Sequence, residues 1–303
     1  MDLLRTDELE LHDIEEILQM AQRLKADYKN GKTSNILQNR VLVMIFEKPS
    51  TRTRVSFEAG MAQLGGHAIF LDFFVSQISR GETMYDTGAV LGQYSDLIMA
   101  RLNKHVDLEE LARGSRVPVI NGLTELDHPC QALADLLTMK ERGRMHRNAK
   151  VVFAGDCGYN MANALMVACT TVGMDVTLAC PSECEINATY LASARRLGKV
   201  EIVHDIMQAA KDADVVYTDT WVSMGQEKER EKRLKMFMPF QINRKVMEVA
   251  KKDAIFMHCL PAHRGEEVTT EVIDGPQSVV YEEAENRLHV QKALMLYLLG
   301  KKY

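Results

Sequence analysis

The amino-acid sequence predicts an α/β protein with two doubly wound parallel-sheet domains. Short, continuous apolar segments alternate with segments of helical periodicity along most of the chain. Such apolar segments are typical of strands that are buried on both faces, as parallel strands are. The length of 303 residues and the apolar content of 46% suffice for two domains, each with its own core.

The first alternation begins with an amphipathic helix, because Leu11, Ile14, Leu18 and Ala21 recur on one helical face. Within it, Asp13 and Glu16 have the spacing of a capping box. The predicted strands are residues 41–46, 67–71, 97–100 and 117–120. The predicted helices are residues 52–64, 86–94, 107–113 and 129–142, the last with a proline in its first turn.

A basic, polar stretch at residues 141–150 predicts a domain junction, and a second alternation follows it. The predicted strands of this half are residues 151–154, 175–179, 200–203, 214–218, 254–257 and 278–280. The predicted helices are residues 161–172, 186–197, 226–236, 243–251 and 284–299. We therefore expect domains of residues 1–142 and 143–283, with the C-terminal helix 284–303 packing back on the first domain.

Composition narrows the classes of function. A formal net charge of −5 gives no reason to expect a nucleic acid or an anionic membrane as a partner. The six cysteines show no paired spacing, which indicates free thiols in a reducing compartment. The N-terminal residues are too charged for a signal peptide, and no apolar run approaches the length of a membrane span. We expect a soluble cytoplasmic protein.

The most informative motif is Ser50-Thr51-Arg52-Thr53-Arg54, between a predicted strand and a predicted helix. The N-terminus of a helix favours anions, because its first N–H groups lack helical partners and the helix dipole is positive there. Arg52 adds a planar fork that matches a phosphate, and the hydroxyls add short donors. The motif predicts a phosphate site. Taken alone, it is equally compatible with an ordinary helix cap followed by solvated arginines.

Further donors follow other strands of the first half. Arg101 ends the run at residues 97–100, and His128 and Gln131 lie at a helix start beyond the next strand. Histidine and glutamine can hydrogen-bond a carbonyl oxygen and an amide, so the ligand could be a phosphate joined to a small acyl or carbamoyl group. In isolation, His128 could instead be a cap residue and Arg101 a surface charge.

In the second half, Asp219 follows a strand and precedes a loop that contains the only tryptophan. This arrangement suits a site for a substrate ammonium group beneath a loop, although a turn with a helix cap would show the same pattern. Cys259 also lies at a strand end, where a thiolate could bind or deprotonate an amine. Most single cysteines are simply buried.

A possible dinucleotide motif is rejected. Gly155 and Gly158 follow a strand and precede a helix, and Asp175 lies twenty residues beyond Gly155. The G-x-G-x-x-G spacing is nevertheless absent, and an oxidoreductase would leave residues 50–54 unexplained.

As an ordered set, these motifs resemble those of ornithine carbamoyltransferases, and the resemblance extends to residues 285–289. It implies an N-terminal carbamoyl-phosphate domain, a C-terminal ornithine domain, an active site in the cleft between them and a homotrimer. It also implies transfer of the carbamoyl group of carbamoyl phosphate to the δ-amine of L-ornithine, in arginine biosynthesis, without cofactor or metal.

The resemblance assigns roles to three sets of residues. Those implied for carbamoyl phosphate are Ser50, Thr51, Arg52, Thr53, Gln77, Arg101, His128, Gln131, Cys259, Leu260 and Arg287, with Gln77 reaching the site of a neighbouring subunit. Those implied for ornithine are Asn160, Asp219, Ser223 and Met224, with Cys259 and Leu260 near its side-chain amine. Those implied in catalysis are Arg52, Arg101, His128, Asp219 and Cys259.

One departure and two alternatives remain open. Where the family often has two consecutive asparagines, this chain has Tyr159 before Asn160, and an intruding Tyr159 would change the pocket. The substrate could be another amine, such as putrescine, aspartate or an acylated ornithine. The chain could also be an inactive binding or regulatory homologue, although every expected substrate contact keeps a competent residue.

Overall fold

The computed structural model describes residues 1–222 and 227–303, which form two compact units. The first unit contains Met1–Leu137 and Glu285–Tyr303, and the second contains Thr138–Ala284. Within the described residues, no helix combines the length and the apolar character needed to cross a bilayer.

The first unit contains a parallel four-stranded sheet with the order β2-β1-β3-β4. Its strands are β1 (Val41–Phe46), β2 (His67–Asp72), β3 (Leu97–Arg101) and β4 (Val119–Leu123). Its helices are α1 (Leu11–Lys29), α2 (Thr51–Gln63), α3 (Met84–Tyr94), α4 (His105–Gly114) and α5 (Pro129–Glu141), and α5 continues into the second unit. Short 3₁₀ turns lie at Thr6–Glu8, Phe73–Val75 and Ile78–Arg80.

The second unit contains a parallel five-stranded sheet with the order β7-β6-β5-β8-β9. Its strands are β5 (Lys150–Ala154), β6 (Asp175–Ala179), β7 (Val200–Val203), β8 (Val215–Thr218) and β9 (Ile255–Met257). Its helices are α6 (Asn160–Thr171), α7 (Ala188–Leu197), α8 (Ile206–Ala210), α9 (Arg230–Phe237), α10 (Arg244–Val249), α11 (Thr270–Ile273) and the start of α12 (Val280–Leu298). Two 3₁₀ turns lie at Glu227–Glu229 and Met238–Phe240.

The central strands form because their side chains are apolar on both faces. Every residue of β3 and β8 is buried, and so are the last five of β1. The edge strand β2 instead has no fully buried residue. Continuous apolar strands are therefore the ones that are buried on both faces, as expected for doubly wound sheets.

Parallel pairing brings the carboxyl ends of neighbouring strands to one edge. In the first sheet Phe46 at the end of β1 pairs with Arg101 at the end of β3. In the second sheet Tyr217 near the end of β8 pairs with Met257 at the end of β9. Residues that directly follow these strands are therefore neighbours, at the edge where doubly wound proteins bind ligands.

The predicted fold class is confirmed, since both sheets are parallel and covered by helices. The strand predicted at residues 278–280 is wrong: Ser278 makes one isolated bridge to Phe256, and helix α12 already begins at Val280. The capping box predicted at Asp13 and Glu16 is also wrong. Helix α1 begins at Leu11, so the side chain of Asp13 caps the N–H of Glu10. Part of the helix predicted at 226–236 lies outside the described residues.

Candidate functional site

The N-terminus of α2 carries the predicted phosphate motif. Ser50 is the N-cap, and its hydroxyl accepts a hydrogen bond from the N–H of Thr53 at 3.3 Å. The cap interpretation is therefore correct for Ser50. It does not account for Thr53, which is fully buried and whose hydroxyl contacts side chains from outside α2.

Two arginines converge on the hydroxyl of Thr53. Arg287 Nη2 donates to Thr53 Oγ1 at 3.1 Å, and Arg101 Nη1 lies 3.4 Å from the same oxygen. The other terminal nitrogen of Arg287 donates to Gln131 Oε1 at 2.6 Å. These four buried side chains come from α2, β3, α5 and α12, so four elements meet at this point. The structure therefore brings together four of the candidate site residues, Thr53, Arg101, Gln131 and Arg287.

A carboxylate that the sequence interpretation missed orients Gln131. Asp135 is fully buried one helical turn later in α5 and accepts a hydrogen bond from Gln131 Nε2 at 2.8 Å. This contact turns the amide so that its oxygen faces Arg287. The i, i+4 spacing within the predicted helix was the available signal, because such residues share one helical face.

His128 lies buried among positive charges. Burial lowers the pKa of His128 well below its ordinary value, and the guanidinium groups of Arg287, Arg101 and Arg52 lower it further. Its ring is therefore neutral near pH 7. Nδ1 is buried and has no hydrogen-bond partner within the described chain. A neutral imidazole in this position can donate one hydrogen bond to a ligand oxygen without carrying a charge.

Polar contacts fix the backbone at Arg101, the last residue of β3, and the loop that carries His128. Glu47, just after β1, donates its N–H to the carbonyl of Arg101 at 2.9 Å. Asp127, directly before His128, accepts hydrogen bonds from the N–H and hydroxyl of Thr6 at 2.6 and 2.7 Å. The N-terminal segment thus holds the loop between β4 and α5 in place.

In the second unit, the predicted Asp219 and Cys259 are in contact. Each follows its strand, and Cys259 Sγ donates to Asp219 Oδ1 at 3.2 Å. The N–H of Thr220 donates to the same oxygen at 2.7 Å. Burial raises the pKa of Asp219, while the adjacent His258 and the Cys259 thiol act in the opposite direction. A carboxylate of this kind can bind an ammonium group and accept its proton.

A network of buried acids holds the chain segment that carries Cys259. The N–H of Leu260 donates to His258 Nδ1 at 2.9 Å, so in the neutral ring the proton lies on Nε2, which contacts Glu267 Oε1 at 3.0 Å. Glu283 accepts hydrogen bonds from the N–H of His258 at 3.0 Å and from the hydroxyl of Tyr217 at 3.2 Å. Sequence reasoning missed both acids, because buried glutamates look like surface residues in a sequence.

The rejected dinucleotide motif has a packing explanation. Gly155 has a φ of +112°, and a Cβ atom there would lie 2.6 Å from the indole Nε1 of the buried Trp221. Glycine is therefore required for the approach of Trp221. Asp156, next in the chain, forms an ion pair with Arg233, whose Nε donates to the carbonyl of Trp221 at 2.6 Å.

The remaining candidate site residues differ in how far they are exposed to solvent. Gln77 is exposed and precedes the 3₁₀ turn at Ile78–Arg80. Asn160 is buried in the first turn of α6, and Tyr159 is its half-buried N-cap residue. Leu260 is partly buried with a φ of +58°. The predicted Ser223 and Met224 lie outside the described residues.

Two groups of described residues could hold a metal ion, because their ligand atoms lie within 4.8 Å of one another. One is Asp219, His258 and Cys259, and the other is His263, Glu266 and Glu267. The absence of a metal from the reaction remains a prediction.

The fold and these contacts define the class of the molecule: an α/β protein of two compact units, with converging buried hydrogen-bond donors at the edge of one parallel sheet and an acid–thiol pair at the edge of the other sheet. Comparison with known proteins places it more narrowly. The model of the aspartate/ornithine carbamoyltransferase carbamoyl-P binding domain matches residues 1–141, and that of the Asp/Orn binding domain matches residues 147–298.

Individual relatives agree with the domain models. An ornithine carbamoyltransferase from Pyrococcus abyssi is 52% identical over 99% of this chain and 96% of its own length. The structure of the ornithine carbamoyltransferase from Pyrococcus furiosus superposes with a TM-score of 0.94 at 50% identity, covering 100% of this chain and 98% of that one. An anabolic enzyme from Campylobacter jejuni gives 0.93 at 42% identity, covering 99% of each chain.

The chain therefore belongs to the aspartate/ornithine carbamoyltransferase family, and the resemblance found in the sequence is confirmed.

Proposed function

We propose that this protein transfers the carbamoyl group of carbamoyl phosphate to the δ-amine of L-ornithine, giving L-citrulline and phosphate. The observation that carries the proposal is the 52% identity, over nearly the whole length of both chains, to a protein named ornithine carbamoyltransferase. Relatives that carry the term anabolic in their names support the biosynthetic direction.

The first unit is suited to carbamoyl phosphate. We assign the phosphate to the N-terminus of α2, where Ser50, Thr51, Arg52 and Thr53 supply hydroxyl, N–H and guanidinium donors. As phosphate leaves, negative charge accumulates on its oxygens. Arg52 stabilises that charge, and the departing phosphate is itself a possible proton acceptor.

The carbamoyl oxygen needs a second set of donors, because it becomes an oxyanion in the tetrahedral intermediate. We assign this role to Arg101, His128 and Thr53, with Gln131 and Arg287 holding the carbamoyl group in place. The neutral state of His128 fits the assignment, since a neutral ring donates a hydrogen bond without adding repulsion to the surrounding arginines. Losing one such donor typically costs about 3–4 kcal/mol of barrier.

The nucleophile must lose a proton before it attacks. An amine like that of lysine has a pKa near 10.4 in water, so roughly one molecule in a few thousand is neutral at pH 7. Asp219 and Cys259 are in hydrogen-bond contact, and the raised pKa of Asp219 makes its carboxylate a better proton acceptor than an ordinary aspartate. We assign this pair to the substrate amines, together with Asn160, Ser223 and Met224 for the amino-acid end and Leu260 near the side-chain amine.

The test is phosphate release and formation of the carbamoylated amine (citrulline from ornithine) by the purified protein with carbamoyl phosphate and a panel of amines, in a metal-chelating buffer without nucleotide. We expect L-ornithine to give the highest kcat/KM. Faster turnover of putrescine, aspartate or an acylated ornithine would overturn the substrate assignment and leave carbamoyl transfer standing. Absence of turnover with every amine, in protein that binds carbamoyl phosphate, would favour an inactive binding homologue.

We also propose a cytoplasmic homotrimer. The cytoplasmic assignment is supported by the six free cysteines, which are typical of reducing compartments. The trimer is supported by the family resemblance and by the exposure of Gln77, whose implied partner is a phosphate bound to a neighbouring subunit.

A further inference from the structure

A second group of chemically active side chains lies in the second unit, where the chain turns after β9. His263, Glu266 and Glu267 place one nitrogen and two carboxylate oxygens within 4.8 Å of one another. The side chains of His263 and Glu266 are 49% and 22% exposed, and that of Glu267 is fully buried. None of the three has a part in the proposed reaction.

Only one of the two carboxylate oxygens of Glu267 has hydrogen-bond partners among the described residues. Its Oε1 accepts hydrogen bonds from His258 Nε2 at 3.0 Å and from the N–H of His263 at 2.6 Å. Its Oε2 is buried and has no hydrogen-bond partner within the described chain. Burial of a carboxylate oxygen without a partner is costly, so such groups are usually paired or bound to a metal. The imidazole Nδ1 of His263 lies 3.8 Å from this oxygen.

Asp214 in the same unit shows how a buried carboxylate is usually stabilised. It is also buried beside an exposed histidine, with His146 Nε2 at 3.7 Å. There, however, Lys251 Nζ lies 2.7 Å from the carboxylate, and the N–H of Lys150 donates to it at 2.8 Å. Among the described residues, no lysine or arginine side chain lies within 4 Å of Glu267.

We propose that His263, Glu266 and Glu267 bind a divalent transition-metal ion such as Zn²⁺, with Glu267 Oε2 as the buried ligand. Imidazole nitrogen and carboxylate oxygen are both zinc ligands, and three protein ligands leave one position for water. The two partly exposed side chains provide access and the freedom to close around the ion. This proposal is independent of the proposed carbamoyl transfer.

Charged residues beside the proposed site predict what sets its affinity for the metal ion. Arg230 forms an ion pair with Glu266, so a metal ion must compete with this guanidinium for the carboxylate. Removing Arg230 should therefore strengthen metal binding, whereas removing a ligand should weaken it. The other oxygen of Glu267 holds His258, so the bound ion would stabilise the segment that begins at His258.

The experiment is a titration of the whole purified protein with Co²⁺, followed by equilibrium dialysis and by absorption. A Cys259→Ser protein is titrated in parallel, because Asp219, His258 and Cys259 form the other possible metal group. A thiolate ligand gives Co²⁺ a charge-transfer band, which the proposed nitrogen–oxygen site lacks. The variants are His263→Ala, Glu267→Gln and Arg230→Ala, with His146→Ala as the matched control.

We expect one Co²⁺ per chain without a thiolate band, in both the wild-type and the Cys259→Ser protein. His263→Ala should weaken binding at least about tenfold, since even residues behind metal ligands typically contribute that much. Arg230→Ala should tighten it about two- to fivefold, the size of an exposed ion pair. His146→Ala should leave it unchanged.

Three results would overturn the proposal. They are Co²⁺ affinity that is unaffected by His263→Ala, binding that disappears in Cys259→Ser, and no binding at submillimolar Co²⁺. The His263→Ala result does not depend on the buried Glu267, so a Glu267→Gln protein that fails to fold leaves the test intact.

Discussion

Thr53 shows why the motif at residues 50–54 is more than a helix cap. A capping hydroxyl contacts only the N–H groups of its own helix, as the hydroxyl of Ser50 does. Thr53 is instead contacted by guanidinium groups from β3 and α12, which are distant in sequence. Such convergence concentrates positive charge at a helix N-terminus, and these guanidinium groups add to the effect of burial in lowering the pKa of His128.

The first prediction concerns Arg52. We expect Arg52→Lys to raise KM for carbamoyl phosphate and to lower kcat/KM by about 10²-fold, because an ammonium group cannot replace a bidentate fork on the phosphate. Steady-state kinetics would measure both constants, and thermal unfolding would check that the variant is folded.

Arg54→Lys is the matched control for Arg52. Arg54 lies in the same helix turn but is exposed and pairs with Glu58 at 2.9 Å. Its substitution should leave kcat/KM within about twofold of the wild type. Equal effects of the two substitutions would mean that the motif acts through general charge or helix capping.

At the scale of elements, the register of β8 and β9 creates the acid–thiol pair. Tyr217 and Met257 are partners in the sheet, so Asp219 and Cys259, two residues further on in each strand's direction, also come together. The sequence predicts the two residues separately, because each follows an apolar run. Their contact requires β8 and β9 to be neighbours, which the strand pattern alone does not determine.

The second prediction concerns the pH dependence of ornithine use. We expect kcat/KM for ornithine to rise with pH, because both the neutral amine and the Asp219 carboxylate form as protons are lost. The Cys259 thiol lowers the pKa of Asp219, so Cys259→Ala should raise that pKa and move the acidic limb of the profile to higher pH.

Cys259→Ser keeps a hydrogen-bond donor and is the control. Its profile should lie closer to that of the wild type than the Cys259→Ala profile does. If the alanine variant keeps the wild-type profile and ornithine affinity, Cys259 is only a packing residue.

The third prediction concerns helix α12. Its His289 is fully buried, and neither ring nitrogen has a hydrogen-bond partner within the described residues. Burial lowers the pKa of His289 to about 4, and the ammonium of Lys292 adds to the shift. Since the pKa is lower in the folded state than in the unfolded state, stability is full above pH 6.5 and declines as the pH falls towards 4.

The shift of His289 corresponds to at most about 3 kcal/mol of unfolding free energy over this range. His289→Leu should therefore make the urea midpoint less dependent on pH between 7 and 4, at constant protein concentration. His67→Leu, at an exposed position of β2, is the comparison and should not change that dependence. An unaltered pH dependence in His289→Leu would show that His289 has the same pKa in the folded and the unfolded protein, which would contradict the prediction.

At the scale of the whole molecule, the sequence predicts the architecture and the strand-end residues of each half. Those inferences rest on local patterns: apolar runs, helix starts and the residues that follow them. Arg287 is an example of a residue that local patterns cannot predict. It contacts Gln131 from 156 positions away, so only the family resemblance indicated it. Asp135, Glu267 and Glu283 were missed because an acid's burial depends on the packing of distant elements.

The last prediction tests whether each active site uses two subunits. Gln77 is exposed at a 3₁₀ turn of the first unit, and the family resemblance assigns it to the phosphate of a neighbouring subunit. If it acts there, each site combines Asp219 of one subunit with Gln77 of the next. Gln77→Ala and Asp219→Ala trimers should then both be impaired. In a head-to-tail ring, every mixed trimer contains one site in which both residues are intact.

Subunit exchange between the two variants should therefore raise citrulline formation above the average of the parent proteins. Separately tagged variants and isolation of doubly tagged trimers would verify that hybrids are present. Exchange of each variant with itself is the control for effects of the exchange procedure. Hybrid trimers whose activity equals the parental average would place Gln77 within its own subunit's site or outside the reaction.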